Sequence, residues 1–137
     1  MASIRREVLV TARPDDVWSA VRDVGAIHTR LAPGFVVATR MDGDARIVTF
    51  GNGMEVRELI VDVDDQARRL VWSAVGGRLS HHNASMQVVD EGAGRTRLVW
   101  IADLLPNELA VYVAGLMEQG LSAAKKTLEA AEAPVRS

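Results

Sequence analysis

The residues able to move a proton or fix a polar group are few: Glu58, the adjacent His81 and His82, and Asp103. Glu58 lies between Arg57 and Leu59 in a segment that alternates like a strand. Turned inward, it would be desolvated and would need a donor to compensate its charge. It could then accept a ligand hydroxyl, order a water network or act as a general acid or base. Turned outward, it would pair with a neighbouring arginine at the surface. His81 and His82 follow one another on an extended segment, so their side chains leave opposite faces and one of them faces the interior in either register. An inward imidazole is a polar anchor, an acid/base group titrating near about pH 6.5, or a ring satisfied by a nearby carbonyl. The same geometry prevents the two from chelating one ion. Asp103, just before Leu104-Leu105-Pro106, reads as a cap on the approach to the following helix or as a third acid/base group.

Other chemistry is missing from the sequence. His28 is the remaining histidine, there is no cysteine, and no His-Glu-x-x-His pattern occurs, so neither a metal site nor a cofactor is expected. Asp62-Val63-Asp64-Asp65 lacks the glycine and distal glutamate of a calcium loop. Gly51-Asn52-Gly53 and Gly92-Ala93-Gly94 do not continue into a phosphate-binding glycine pattern, and there is no Gly-x-Ser-x-Gly elbow. A net charge of −2 with both signs interspersed argues against a nucleic-acid partner. The start Met-Ala-Ser-Ile-Arg-Arg-Glu turns polar where a secretory signal needs its apolar stretch, and no apolar run reaches a membrane span. A cytoplasmic protein without a membrane span is expected, as a monomer or homodimer.

These groups need elements to hold them. The 137 residues, 48 % apolar and 25 % charged, suit one domain over 1–137 with a substantial core. Turn signals recur at Pro33-Gly34, Asp42-Gly43-Asp44, Gly51-Asn52-Gly53, Asp64-Asp65, Gly76-Gly77 and Glu91-Gly92-Ala93-Gly94. Between them, β-branched and alternating stretches predict seven strands, at about 3–11, 35–41, 45–50, 54–63, 69–75, 79–90 and 96–103. Short turns make them antiparallel neighbours. Pro14-Asp15-Asp16 opens a short helix to about Asp23, with acids at its positive end, and 26–31 can form a second. From Asn107, a plausible N-cap, to Ala131 the apolar residues Leu109, Val113, Leu116, Met117, Gly120, Leu121, Ala124 and Leu128 repeat at helical spacing, and Pro134 ends the tract. That broad apolar face must be buried, and the concave side of the sheet is the surface large enough to cover it.

The order strand, two short helices, six strands and a long helix resembles the helix-grip fold of the SRPBCC superfamily. That group includes START lipid-transfer domains, the major birch pollen allergen, bacterial polyketide cyclases and dehydrases, and plant abscisic acid receptors. The likeness rests on Val10-Thr11-Ala12-Arg13-Pro14-Asp15-Asp16-Val17-Trp18, Glu58-Leu59, Leu70-Val71-Trp72-Ser73-Ala74-Val75-Gly76-Gly77, Thr96-Arg97-Leu98-Val99-Trp100 and Met117-Glu118-Gln119-Gly120-Leu121. It implies an α+β fold: a seven-stranded curved antiparallel sheet around the C-terminal helix, with a cavity between them. By similarity to the abscisic acid receptors, Glu58 looks into the pocket, Trp72 and Ala74 form its wall, Asn83 and Ser85 face the ligand, and His81 joins them by alternation. Leu109, Val113 and Met117 are then the pocket-facing positions of the helix. Plain hydrophobic patterning favours the opposite face of that strand, His82, Ala84, Met86 and Val88; the expectation here follows the resemblance. The receptors' proline-containing gate has no counterpart at Gly51-Asn52-Gly53-Met54, and neither does their pocket lysine. The overall character is closer to a bacterial polyketide cyclase/dehydrase-like member.

Two functional readings result. In the first, the chain binds or carries a small hydrophobic molecule such as a lipid, polyketide or aromatic. In the second, it is a cyclase- or dehydratase-type enzyme that folds a reactive chain in its cavity, with Glu58, His81 and Asp103 as acid/base groups. A stress or regulatory partner that takes no ligand is a third. Whether the chain is an enzyme is left open by the residues themselves.

Overall fold

A computed structural model describes residues 1–132 of the chain. The elements run β1 (Ala2–Val10), α1 (Pro14–Arg22), a single π-helical turn (Ile27–Leu31), β2 (Val36–Asp42), β3 (Ala45–Phe50), β4 (Glu55–Asp64), β5 (Arg69–Val75), β6 (His81–Gly92), β7 (Arg95–Leu105), a 3₁₀ turn (Asn107–Leu109) and α2 (Ala110–Glu132). The seven strands form one antiparallel sheet in the order β1-β7-β6-β5-β4-β3-β2. Only β1 leaves sequence order: the two short helical segments carry the chain from one sheet edge to the other. Register shifts at Val36/Ala38 in β2, Ile60/Asp62 in β4 and Asp90/Gly92 in β6 bend the strands, as bulges do.

Alternation decides which face is buried. Ile4 and Val10 of β1, Leu70, Trp72 and Ala74 of β5, Ala84, Met86 and Val88 of β6, and Leu98, Ala102 and Leu104 of β7 are buried on the concave side. The buried flank of α2 is Met117, Gly120, Leu121, Ala124 and Leu128, spaced as one helical face. Gly120 lets helix and sheet approach closely, since a Cβ built there would lie 2.9 Å from Phe35 Cε2 and 2.9 Å from Trp100 Cζ3. Farther along, α2 covers the β1 edge. Lys125 Nζ donates to the Leu9 carbonyl at 2.7 Å and the Thr11 amide donates to Glu129 at 2.8 Å, so edge groups that could template another strand are occupied. α1 seats Trp18 in the core, and its indole N–H and Arg22 both donate to Asp65 in the β4–β5 turn.

Several boundaries differ from expectation. Strand 6 starts at His81 rather than at Leu79, because the chain leaves the sheet after Val75 in a longer loop. Asn107 opens a 3₁₀ turn and makes no side-chain cap, so the α-helix proper begins at Ala110. Among the described residues Asp103 makes no capping hydrogen bond; it lies within β7, opposite Ser3 and Asn83. Pro134 lies outside the described residues.

Candidate functional site: a cavity between the sheet and the C-terminal helix

The cavity begins where two strands part. β5 and β6 pair from Arg69↔Gln87 to Trp72↔Ala84 and no farther. The chain then swings out through Gly76 (φ 88°) and Gly77 (φ 62°), left-handed conformations that glycine takes without a Cβ penalty. In place of the missing ladder, the Ala74 amide donates to His82 Nδ1 at 2.9 Å and the Ser73 hydroxyl donates to the His82 carbonyl. Behind this gap lies a cavity of about 330 Å³. Its sheet wall is formed by Val56, Glu58, Trp72, Ala74, His82 and Trp100, its floor by Phe35 and Phe50, and its roof by Leu109, Tyr112, Val113, Leu116 and Met117.

A second, inner compartment of about 70 Å³ continues toward the first helices, lined by Val21, Leu31, Arg46, Val48, Leu70 and Met86 among others. Phe35, Phe50, Glu58, Trp72 and Trp100 line both spaces and form the partition between them. Phe35 and Phe50 meet edge to face at 5.3 Å, and Trp72 and Trp100 stack tilted at 5.8 Å. Two polar features belong to this partition: the Trp100 indole N–H, buried without a hydrogen-bond partner among the described residues, and an ion pair. Arg46 (4 % exposed) and Glu58 (8 % exposed) stand directly opposite on β3 and β4 and are joined through Nε and Oε1 at 2.8 Å. The guanidinium also donates to the Val24 carbonyl at 3.3 Å and lies 5.4 Å from the centre of the Trp72 ring, a cation–π arrangement. Arg46 is therefore the donor that compensates the buried carboxylate, and the bond is charge-assisted.

His82 is half-buried at the gap. Burial holds its pKa below the ordinary value; the neighbouring His81 presses the same way and Asp103 opposes it. Because Nδ1 accepts from the Ala74 amide, the neutral ring carries its proton on Nε2. The unfolded chain binds this proton more readily than the folded one, so the contribution is complete above the unfolded value of about 6.5 and declines as pH falls through the window below it. His82→Asn keeps an acceptor there but does not titrate. Urea unfolding should show wild type losing more stability than His82→Asn between neutral and mildly acidic pH. Identical losses would contradict the buried neutral ring.

Glu58, Trp72, Ala74, Leu109, Val113 and Met117 thus come together around one cavity. The face of β6 expected from the resemblance is corrected: His81 and Asn83 are exposed, Ser85 is half-buried, and all three lie on the side away from Ala84, Met86 and Val88. The physical reason is the apolar set, which would face water if the register slipped by one residue. His81 and Asp103 consequently do not join Glu58, and the expected acid/base trio is not assembled. Phe35, Phe50, Tyr112 and Leu116 line the cavity without having been singled out for it; for Tyr112 and Leu116 the helical spacing from Leu109 and Val113 was signal enough. Arg46 was missed.

A larger furrow of about 1020 Å³ runs outside, between Pro33-Gly34-Phe35 and the flank of α2 bearing Glu118, Gln119, Ser122, Lys126 and Thr127. It is wide open and edged by polar chains, so it removes little of a guest from water. Among the described residues no group of three or more His, Asp or Glu could hold a metal ion, and no helix is long and apolar enough to cross a membrane.

Comparison with known proteins agrees with this architecture. A family profile described as polyketide cyclase / dehydrase and lipid transport matches residues 1–129. Among solved structures, a protein from Thermobifida fusca is 29 % identical, with TM-score 0.77 over 94 % of this chain and 91 % of that one. The di-domain ARO/CYC BexL of the BE-7585A biosynthetic pathway is 18 % identical, with TM-score 0.81 over 98 % of this chain and 48 % of its own. Norcoclaurine synthase from Thalictrum flavum is 22 % identical, with TM-score 0.73 over 98 % of this chain and 95 % of that one. At those identities, the last two share the fold alone. A search of curated proteins found no match.

Proposed function

The chain belongs to the polyketide cyclase / dehydrase and lipid transport family, and from that premise we propose that it binds a small, largely apolar molecule in the cavity between sheet and α2. The observation that carries this reading is the cavity itself: about 330 Å³, walled by aromatic and aliphatic side chains, with one buried ion pair at its inner end. This volume is at the low end of the roughly 300–1,000 Å³ found for small-molecule sites. It suits a compact aromatic or a short polyketide better than a two-chain lipid. Removing about 200 Å² of ligand surface from water would supply roughly 5 kcal/mol, of the same order as the cost of association. Binding therefore needs no covalent chemistry. The ligand contacts in this reading are Glu58, Trp72, Ala74, Leu109, Val113 and Met117, and His82 takes the place that the sequence reading gave to His81.

Ala74 offers a clean test, since it lines the cavity with a single methyl group. Ala74→Phe fills the space with a ring. The neutral dye N-phenyl-1-naphthylamine should brighten on binding wild type, and its affinity for Ala74→Phe should fall by at least about tenfold, roughly 1.4 kcal/mol. Unchanged affinity in a folded variant would place the dye elsewhere and defeat the proposal.

A further inference from the structure

We infer that the inner end of the bound molecule carries a neutral hydroxyl rather than a carboxylate, a conclusion that rests on the cavity reading above and narrows its ligand class. The Arg46 guanidinium is the buried cation facing this space, and its charge is already matched by Glu58 at 2.8 Å. A ligand carboxylate entering here would find no uncompensated positive charge and would be brought against the Glu58 carboxylate. Like-charge contact in a water-poor site is strongly unfavourable. A hydroxyl meets the opposite situation. Among the described residues no hydrogen bond reaches Glu58 Oε2 or Arg46 Nη2, so the pair retains a free acceptor oxygen and a free donor nitrogen. A hydroxyl can donate to the first and accept from the second without adding charge. The inner compartment, about 70 Å³, has room for such a polar tip but not for another ring. Arg46 is held from three sides, by Glu58, the Val24 carbonyl and the Trp72 face, so it cannot swing away to meet an anion. The ligand class is therefore a phenol or hydroxy-ketone with its hydroxyl pointing inward.

Three probes of similar size test this at neutral pH by isothermal titration with the intact protein: 2-naphthol, naphthalene and 2-naphthoate. Wild type should prefer 2-naphthol over naphthalene and, by at least about tenfold, over 2-naphthoate. Glu58→Gln leaves Arg46 unmatched and should reverse the order of 2-naphthol and 2-naphthoate. If that variant does not fold, Arg46→Met/Glu58→Met removes both polar partners without leaving a charge, and the advantage of 2-naphthol over naphthalene should vanish. Wild type binding 2-naphthoate as tightly as 2-naphthol, or naphthalene as tightly as 2-naphthol, would overturn the hydroxyl assignment while leaving the cavity reading intact. Failure of all three to bind would overturn both.

Discussion

Glu58→Met, made while Arg46 is kept, is expected to remove about 3–5 kcal/mol of folding stability, whereas the double variant Arg46→Met/Glu58→Met should recover most of it. The asymmetry follows from the pair's surroundings. Both side chains are almost fully buried, and the guanidinium's other contacts are one carbonyl at 3.3 Å and an aromatic face. Removing the carboxylate leaves a buried charge whose remaining protein acceptor is a single carbonyl. Removing both leaves two flexible apolar chains of similar bulk in an apolar partition. For a protein whose whole margin is about 5–15 kcal/mol, the single change is close to disabling. Urea unfolding with a two-state fit measures both. A single variant that loses less than about 1 kcal/mol, or a double variant worse than the single, would mean that the pair is wetter than its burial indicates.

Trp72→Ala should cost a comparable about 3–5 kcal/mol and lower the melting temperature by on the order of 10–20 °C. Trp72 is 4 % exposed, stacks on Trp100 at 5.8 Å, carries the Arg46 guanidinium on its face and separates the two compartments. Its neighbours already border empty space, so they have little material with which to collapse into the hole. Leu59→Ala is the control: Leu59 follows Glu58 on β4 but is 39 % exposed on the other face. It should shift melting by only a few degrees. Calorimetry of the three proteins decides the matter. A Trp72→Ala loss no larger than the control's would show that the partition is not packed as described.

Much of this architecture could be read from residue patterns. Turn residues marked the hairpins, and the apolar repeat from Leu109 to Leu128 marked α2, because turns and amphipathic helices are written in local sequence. Arg46 was harder, yet its partner was computable. Gly51-Asn52-Gly53 centres the β3–β4 hairpin on Asn52, and Arg46 and Glu58 stand equally far to either side, so they face each other. Folding the two strands about that turn brings these opposite charges together. The β6 face failed for another reason. A resemblance carried over residue by residue is sensitive to a shift of one position, and in a strand one position inverts every side chain. The local pattern Ala84-x-Met86-x-Val88 was the stronger physical constraint. The cavity volume could not have been read at all. It depends on where β5 and β6 stop pairing and on the close approach at Gly120, both set by contacts distant in sequence.

The measurement closest to the central claim is a set of intermolecular nuclear Overhauser effects between 2-naphthol and the methyl groups of the isotope-labelled protein. A guest between sheet and helix must give cross-peaks to Ala74, Leu109, Val113, Leu116 and Met117, which line the cavity from both sides. Cross-peaks confined to Ala123, Thr127 and Ala130, which border the open furrow outside, would contradict it.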